Sequence, residues 1–296
     1  MRIPPPPGGV DGPETLRTPG ARARPRAQVI EHYELEKSLA DRLRRADPQR
    51  RRTLYAEVYD ELFRRLPHHP QVVKALDPDA AAREVRRQST LLRRYLKPGQ
   101  TFLELGAGDC GLAREVAKTV GLAIAVEASP EITRGLVAPP NLRLILTDSF
   151  TLPLPDATVD LAYSNQFLEH LHPDDAGDQL REIARVLKPG ARYVCVTPNA
   201  LSGPHDVSAA FDDEPTGFHL KEYTIGEMIK AFREAGFTEC RVVVGARGVY
   251  LPFATPAGPL AWGEKLLSAL PARWRRGVSR TLPARIALGN NFVATR

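Results

Sequence analysis

A glycine-rich turn between two apolar runs is the feature of this sequence best suited to hold a ligand. The first run begins at Phe102 and enters a turn that contains Gly106 and Gly108, and the second run ends at Glu127. The two glycines lack the side chains that would keep the backbone away from a ligand. Glu127, at the end of a predicted strand, is placed to accept hydrogen bonds from the hydroxyls of a ribose. The pattern predicts a nucleoside pocket, although glycines also mark plain turns.

The charge around this turn distinguishes between two kinds of nucleoside cofactor. Glu104 precedes the turn and Asp109 lies within it. A pyrophosphate would lie at the N-terminus of the following helix, where the helix dipole favours an anion. The two carboxylates would repel a pyrophosphate but suit a sulfonium cofactor with a free amino group. Charge therefore favours S-adenosylmethionine over a nicotinamide dinucleotide.

Further motifs follow the turn in a fixed order. After ELGAGDCG and VEAS come TDSF, DATVDLAYSNQFLEHL, RVLKPGARYVCVTPN and FHLKEYTIGEMIKAFREAGF. In this order they resemble the motifs of the class I S-adenosylmethionine-dependent methyltransferases, and specifically the branch related to ubiquinone-pathway O-methyltransferases and small-molecule "type 11" enzymes. The resemblance covers Leu96 to about Val244.

The resemblance implies a set of cofactor residues. It implies that Gly106 and Gly108 lie against the amino-acid moiety of S-adenosylmethionine, that Glu127 binds the ribose, and that Asp148 faces the adenine. The full candidate set is Glu104, Gly106, Gly108, Asp109, Glu127, Ala128, Asp148, Ser149 and Asn165.

The order of the motifs also predicts the fold. We expect an α/β protein with one Rossmann-like domain, whose seven-stranded sheet has the strand order 3-2-1-4-5-7-6. Gly106, Glu127, Asp148 and Asn165 then lie at the carboxyl ends of strands, where such sheets bind ligands.

Composition divides the chain into parts. Residues 1–28 are rich in proline, glycine and arginine and are predicted to be disordered. Residues 29–97 have a helical pattern and are predicted to form an N-terminal helical extension, which would serve as a structural cap or cover the cofactor pocket. Residues 98–296 would form the methyltransferase domain.

An insertion at about 246–289 departs from the family's simplest form, in which a short hairpin joins the last two strands. It contains both tryptophans of the chain, Trp262 and Trp274, and five arginines between positions 273 and 285. Loops of this length are uncommon unless they have a function. Three interpretations stay open: a cap over the acceptor site, peripheral contact with a membrane surface, and ordinary packing against the core.

Length and composition limit the classes of protein that fit. The 296 residues, 43% of them hydrophobic, suffice for one large α/β domain and an appendage. No run of about 18 apolar residues and no apolar signal-peptide core are present, so neither a membrane span nor a secretion leader is predicted. The cysteines, Cys110, Cys195 and Cys240, show no metal spacing and no disulfide framework. A cytoplasmic location is the resulting expectation.

The basic charge of the chain lies mostly in its first third. Residues 1–97 contain 21 Lys and Arg against 13 Asp and Glu, but acids alternate with the arginines and no basic groove with interleaved aromatics is evident. A methyltransferase for exocyclic amines of nucleic acids would carry Asn/Asp-Pro-Pro-aromatic at the end of strand four, where this chain has SNQF (Ser164 to Phe167). We therefore expect a small-molecule acceptor and no nucleic-acid partner.

Histidines are the candidate catalytic residues. His219 follows the fifth strand and is the best candidate to accept a proton from a hydroxyl or amine, because histidine titrates near neutrality. His170 and His205 are weaker candidates, and His219 could instead be a hydrogen-bonded residue of a loop over the pocket. The expected reaction is SN2 methyl transfer to oxygen or nitrogen; the alternative is a non-catalytic protein that binds S-adenosylmethionine as a regulator or partner.

A possible metal cluster lies beside these candidates. Gln166, Glu169 and His170 would share one face of a helix predicted to begin near Phe167. In the related ubiquinone-pathway enzymes a Glu-x-x-Glu-His cluster is associated with dependence on a divalent ion. Gln166 replaces the first carboxylate here, which leaves two ligands, so no tightly bound metal is predicted.

Overall fold

A mixed eight-stranded sheet forms the centre of the protein. The computed structural model describes residues 14–19, 22–147, 151–246, 248–279, 281, 284, 286 and 288–296. Seven strands of this sheet, numbered in chain order, are β1 (Thr101–Leu105), β2 (Leu122–Glu127), β3 (Leu142–Leu146), β4 (Val159–Asn165), β5 (Leu187–Thr197), β6 (Glu239–Val242) and β7 (Asn290–Thr295). The eighth, a two-residue edge strand (Thr255–Pro256), lies between β6 and β7 in the chain. The predicted α/β, Rossmann-like class is confirmed.

The spatial order of the sheet is edge strand-β6-β7-β5-β4-β1-β2-β3. Strands β1 to β5 are parallel, whereas β7 runs antiparallel to both β5 and β6. The predicted count of seven strands is wrong, because Thr255 and Pro256 also pair with β6. Proline donates no backbone hydrogen bond and is therefore confined to sheet edges. A strand of only two residues, one of them proline, is too short to show the alternating pattern by which strands are predicted from sequence.

Among the described residues, four α-helices precede the sheet and five α-helices with given bounds follow β1. The first group is α1 (Arg26–Arg45), α2 (Pro48–Arg65), α3 (Pro70–Leu76) and α4 (Pro78–Leu92). The second group is α5 (Gly111–Val116), α6 (Pro173–Val186), α7 (Ile225–Glu234), α8 (Ala257–Ser268) and α9 (Ala272–Ser279). Helices α2, α3 and α4 each begin with a proline that follows a capping side chain, from Asp47, His69 and Asp77. A cap followed by proline is a strong signal for the start of a helix.

The helices cover both faces of the sheet. Buried residues of α1, α2, α6 and α7 pack in one cluster with Leu103 and Leu105 of β1. Leu91 and Leu92 of α4, together with the buried residues of α5, pack with Phe102 on the other face. The N-terminal helices α1 and α2 are thus part of the main core.

The prediction of disorder for residues 1–28 is wrong where the structure describes this segment. Thr15–Leu16 pairs with Arg24–Pro25, and α1 begins at Arg26. Leu16 packs against the buried cluster of Val29, Tyr33 and Val207. The guanidinium of Arg24 lies 3.0 Å from His32 Nδ1, which anchors the segment to α1. Composition alone did not reveal these long-range contacts, and residues 1–13 lie outside the described part of the chain.

The predicted insertion contains the edge strand, α8 and α9, preceded by a small hairpin of Gly245–Ala246 with Val249–Tyr250. Helix α8 is anchored by Glu264, whose buried carboxylate accepts a hydrogen bond from Asn199 Nδ2 at 2.7 Å. A search of the described residues finds no helix that combines the length and the apolar character needed to cross a membrane.

Candidate cofactor and acceptor site

The turn after β1 has the backbone conformation that its glycines allow. Gly106 and Gly108 have φ angles of +65° and +54°, in the left-handed region that favours glycine. A Cβ atom at Gly106 would lie 2.8 Å from Cδ2 of Phe167, so the turn also has no space for a side chain there. The N–H of Ala107 donates to the carbonyl of Val126 at 3.0 Å, which holds the turn beside the end of β2.

Glu127 connects this turn to the end of β2. Its Oε2 accepts a hydrogen bond from the N–H of Gly108 at 2.8 Å, and its Oε1 accepts from the N–H groups of Ala128 at 2.9 Å and Ser129 at 3.1 Å. Burial raises the pKa of this carboxyl group, and the three backbone donors oppose that effect. Carboxylate oxygens have further lone pairs, so Glu127 can still accept hydrogen bonds from a ribose.

A cavity of about 90 Å³ lies between the glycine turn and α2. Aromatic side chains of α2 form its roof, and the segment after β4 forms one wall. Its lining residues are Tyr55, Tyr59, Phe63, Gln71, Gly106, Gly108, Glu127, Ala128, Ile132, Gln166, Phe167, His170 and Leu171. The helical pattern predicted that α2 has a buried face, but not that this face lies over Glu127, so the aromatic roof was missed.

The roof helix is held at both ends. The guanidinium of Arg51 makes two contacts with the buried carboxylate of Asp175 on α6, at 2.6 and 2.8 Å. Tyr55 also donates to Asp175, at 2.9 Å. At the other end, the hydroxyl of Ser129 donates to Asp60 at 2.5 Å. Helix α2 is thus bound both to α6 and to the loop that follows Glu127.

Three predicted cofactor residues lie outside this cavity, and two more cannot be placed. Asp109 Oδ1 accepts from the N–H of Gly111 at 3.0 Å and borders a separate groove, while Asn165 lines a second cavity of about 440 Å³. Glu104 is buried, and burial together with the charge of Asp109 raises its pKa well above the ordinary value. Its Oε2 has no hydrogen-bond partner among the described residues. Asp148 and Ser149 fall outside the described residues.

His170 faces the cavity as a neutral ring. Its Nδ1 lies 3.0 Å from the carbonyl oxygen of Phe218, and because a carbonyl only accepts, Nδ1 carries the proton and Nε2 keeps its lone pair. Burial, with a contribution from His219, lowers the pKa of His170 to about 3. His170 is therefore a hydrogen-bond acceptor at neutral pH.

The segment that carries His170 is not the predicted α-helix. Leu168–His170 forms a single 3₁₀ turn, and α6 begins only at Pro173. Gln166 has a φ of +55°, which keeps it outside any helix. His172 Nδ1 accepts from the N–H of Asp174 at 3.3 Å and so caps α6. This cap and the proline that follows it set the start of the helix after His170.

His219 is buried behind His170 and does not line the cavity. The ring centroids of the two histidines are 5.0 Å apart. Nδ1 of His219 donates to Glu222 Oε1 at 2.7 Å, and Nδ1 of His205 lies 3.0 Å from the other oxygen of Glu222. Burial opposes protonation of His219, but the nearby carboxylates, chiefly that of Glu222, outweigh it and raise the pKa to about 9.

Glu169 completes a cluster with these two histidines. Its Oε2 accepts from the hydroxyl of Thr197 at 2.9 Å, its Oε1 has no partner within the described part of the chain, and burial raises its pKa to about 7. Ligand atoms of Glu169, His170 and His219 all lie within 4.8 Å of one another. The premise of two metal ligands is therefore wrong, because the fold adds His219. At pH 7, however, His219 is protonated on both nitrogens and offers no lone pair to a metal.

A second cluster, formed by His32, Glu36 and His69, joins α1 to the start of α3. Arg24 donates to His32 Nδ1, so His32 Nε2 carries a proton and donates to Glu36 Oε1 at 2.7 Å. His69 Nδ1 accepts from the N–H of Gln71 at 3.3 Å, and its Nε2 lies 3.7 Å from Glu36. The Nε2 atoms of His32 and His69 thus carry protons, whereas a metal would need their lone pairs. We therefore interpret the cluster as a structural contact that holds α1 to the start of α3.

Part of this chain is similar to known methyltransferases. Residues 103–195 match a family model described as a methyltransferase domain. A demethylmenaquinone methyltransferase of Corynebacterium efficiens is 36% identical over 111 residues, which are 36% of this chain and 46% of that protein. A protein of Mycolicibacterium smegmatis described as an S-adenosylmethionine-dependent methyltransferase is 31% identical over 142 residues, covering 47% of this chain and 52% of that protein. The chain thus spans about half the length of these relatives.

A solved structure shows the same fold. A chain in the complex between the Haloferax volcanii Trm112 methyltransferase activator and its methyltransferase has a TM-score of 0.52 and 20% identity, over 76% of this chain and 96% of that chain. The segment that matches the family model, residues 103–195, includes both the glycine turn after β1 and Glu127 at the end of β2. Residues 103–195 thus match the methyltransferase-domain family, and relatives of this chain are described as S-adenosylmethionine-dependent methyltransferases.

Proposed function

We propose that this protein transfers the methyl group of S-adenosylmethionine to an oxygen or nitrogen of a small-molecule acceptor. The observation that supports this most directly is the cavity between the glycine turn and α2, where Gly106, Gly108 and Glu127 lie on one side and His170 on the other. The first three residues suit the cofactor, and His170 supplies a hydrogen-bond acceptor for the second substrate.

The residues of the cavity suit parts of the cofactor, although the cavity of about 90 Å³ would have to widen to hold the whole molecule. Gly106 and Gly108 would lie against its amino-acid moiety, and Glu127 would bind its ribose, next to the N–H of Ala128. When bound, S-adenosylmethionine would supply a methyl group on a sulfonium that is already activated for SN2 attack. The rest of the cofactor would leave as a neutral thioether. The contribution of the protein is then mainly to align the acceptor and exclude water. The aromatic roof of Tyr55, Tyr59 and Phe63 suits both tasks.

We assign different roles to the two histidines. His170 lines the cavity, and its Nε2, which keeps a lone pair, would accept a hydrogen bond from the acceptor, but its low pKa makes it a poor base. His219 is the stronger base because Glu222 raises its pKa. About one His219 side chain in a hundred is neutral at pH 7. Because the ring lies behind His170, His219 would act as a base only in that neutral form and only on an acceptor that reaches past His170.

A small acceptor is favoured over a polymer. Helix α2 covers the cavity and is held by Asp175 and Ser129, and the described residues enclose a volume of about 90 Å³, which suits a small molecule better than a nucleic-acid strand. One relative is named for a small-molecule acceptor, demethylmenaquinone. A non-catalytic regulator remains the second candidate, because burial keeps His219 out of the cavity lining.

Transfer of isotope-labelled methyl groups tests this proposal. The purified protein would be incubated with labelled S-adenosylmethionine and a panel of small phenols, quinols and amines, with transfer RNA and duplex DNA in parallel. We expect label on at least one small acceptor and none on the nucleic acids. Cofactor binding without transfer to any acceptor would support the non-catalytic alternative, and transfer only to nucleic acid would contradict the acceptor class.

A further inference from the structure

The segment between positions 249 and 278 carries most of the exposed apolar surface of the described residues. Eight of the twelve exposed large apolar side chains lie in this stretch of thirty residues. Five of them, Trp262, Leu266, Leu270, Trp274 and Val278, belong to the two helices of this segment and the turn between them. A concentration of this kind marks an interaction surface rather than the scattered apolar residues of an ordinary surface.

Helix α8 has an apolar face directed away from the protein. Ala257 and Glu264 are buried against the core, with exposed fractions of 1% and 4%. Trp262 and Leu266 are one turn apart on the opposite side of the helix and are 67% and 54% exposed. Packing against the core therefore accounts for one face of α8 and leaves the tryptophan face uncovered by the described residues.

Helix α9 continues this pattern. Trp274 and Val278 are also one turn apart and are 60% and 42% exposed. Leu270, in the turn between the two helices, is 41% exposed. We refer to Trp262, Leu266, Leu270, Trp274 and Val278 as the apolar stripe.

The charge of the same segment has one sign. Between positions 249 and 289 it contains Lys265 and the five arginines from position 273 to 285, against a single acid, Glu264. That acid faces inwards and is hydrogen-bonded to Asn199, so it does not offset the positive charge of Lys265, which is exposed on the same helix. A second copy of this segment would meet the first with like charge, whereas an anionic surface would be complementary.

We propose that α8 and α9 bind the surface of an anionic lipid bilayer. The apolar stripe would enter the interface between headgroups and acyl chains, where tryptophan is favoured because it combines an apolar ring with a polar N–H. Lys265 and Arg275, whose side chains the structure describes, would lie at the lipid phosphates. Docking at this surface is independent of the methyl-transfer proposal, because no residue of the stripe lines the cavity next to Glu127.

The intrinsic fluorescence of the full chain provides the test, since Trp262 and Trp274 are its only tryptophans. The protein would be mixed with vesicles of equal parts phosphatidylglycerol and phosphatidylcholine, and with vesicles of phosphatidylcholine alone. We expect binding to the anionic vesicles with a blue shift of the emission, quenching by lipids with brominated chains, and at least tenfold weaker binding in high salt or without phosphatidylglycerol.

Matched variants distinguish binding through the apolar stripe from binding through exposed apolar side chains elsewhere on the protein. Leu266→Ala combined with Val278→Ala should weaken vesicle binding at least fivefold and leave both tryptophans as probes. Leu76→Ala with Val137→Ala removes two side chains that are 78% and 81% exposed elsewhere and should leave binding unchanged. Absence of a blue shift and of quenching in the wild-type protein would overturn the proposal, as would concentration-dependent dimerisation through the stripe without vesicle binding.

Discussion

Glu127 Oε2 accepts a hydrogen bond from the backbone N–H of Gly108 at 2.8 Å. The acid that ends β2 is therefore held directly against the turn that ends β1, although the two residues are separated by α5 in the chain. This contact joins the two segments that we propose bind the cofactor.

Replacement of Gly106 should be costly. In Gly106→Ala the new Cβ would meet Phe167 at 2.8 Å, and the residue would keep a φ of +65°. We expect a loss of about 1–3 kcal/mol in the free energy of unfolding and weaker cofactor binding, measured by urea denaturation and calorimetry. Gly258→Ala in α8 is the control, because nothing lies near its Cβ position and alanine favours helix. Equal stability of the two variants would contradict the account of the turn.

The buried ion pair of Arg51 on α2 with Asp175 on α6 should contribute strongly to the stability of the protein. Asp175→Ala would leave the buried guanidinium of Arg51 with the exposed carboxylate of Asp174, 3.7 Å away, in place of its buried partner, so we expect a loss of about 3–5 kcal/mol in the free energy of unfolding. Glu57→Ala breaks an exposed pair with Arg50 and should cost about 1 kcal/mol or less. A loss in Asp175→Ala no larger than that in Glu57→Ala would show that α2 is held by other contacts.

The pH dependence of turnover should depend on Glu222. If neutral His219 is the base, kcat/KM should rise with pH up to the His219 pKa of about 9 and level off above it. Glu222→Gln removes the carboxylate that raises this pKa, so the rising limb should move to lower pH, towards the ordinary histidine value. His205→Gln removes only the other partner of Glu222 and should leave the limb near its original position. A limb that does not move in Glu222→Gln would remove His219 from the mechanism.

Loss of His219 itself should affect rate and not cofactor binding. With a true acceptor, His219→Ala should lower turnover about a hundredfold or more, which is typical for loss of a general base, while S-adenosylmethionine affinity stays nearly constant. A fall of less than fivefold, or a parallel loss of cofactor affinity, would make His219 a structural residue. Alignment of the acceptor by the cavity, including His170, would then be the whole mechanism.

The cluster of Glu169, His170 and His219 should hold no tightly bound metal at pH 7. His219 is protonated at that pH because its pKa is raised to about 9, and a cation at this position repels a second one. Elemental analysis of protein purified without added metal salts measures this, with His219→Ala as the comparison. A stoichiometric transition metal that is lost in the variant would show that metal binding displaces the proton.

Local signals predicted the cofactor side of the site, and long-range contacts account for what was missed. The glycine turn and the position of Glu127 at a strand end can be predicted from a few adjacent residues, because turn conformation and strand ends depend on local sequence. The proximity of Glu169 to His219, and of Tyr59 to the glycine turn, arises from packing between segments far apart in the chain. Burial of His219 beside Glu222 likewise depends on the fold, and it changes the expected pKa from near neutral to about 9.

Calorimetric titration with S-adenosylmethionine tests the central claim most directly. The wild-type protein should bind with micromolar affinity, and Glu127→Ala should bind about tenfold or more weakly, since a hydrogen bond to a charged group contributes about 1.5–3 kcal/mol. Glu131→Ala, which removes a carboxylate paired with exposed Arg134 in the same loop, should bind like the wild type. Wild-type affinity in Glu127→Ala would contradict the assignment of the site.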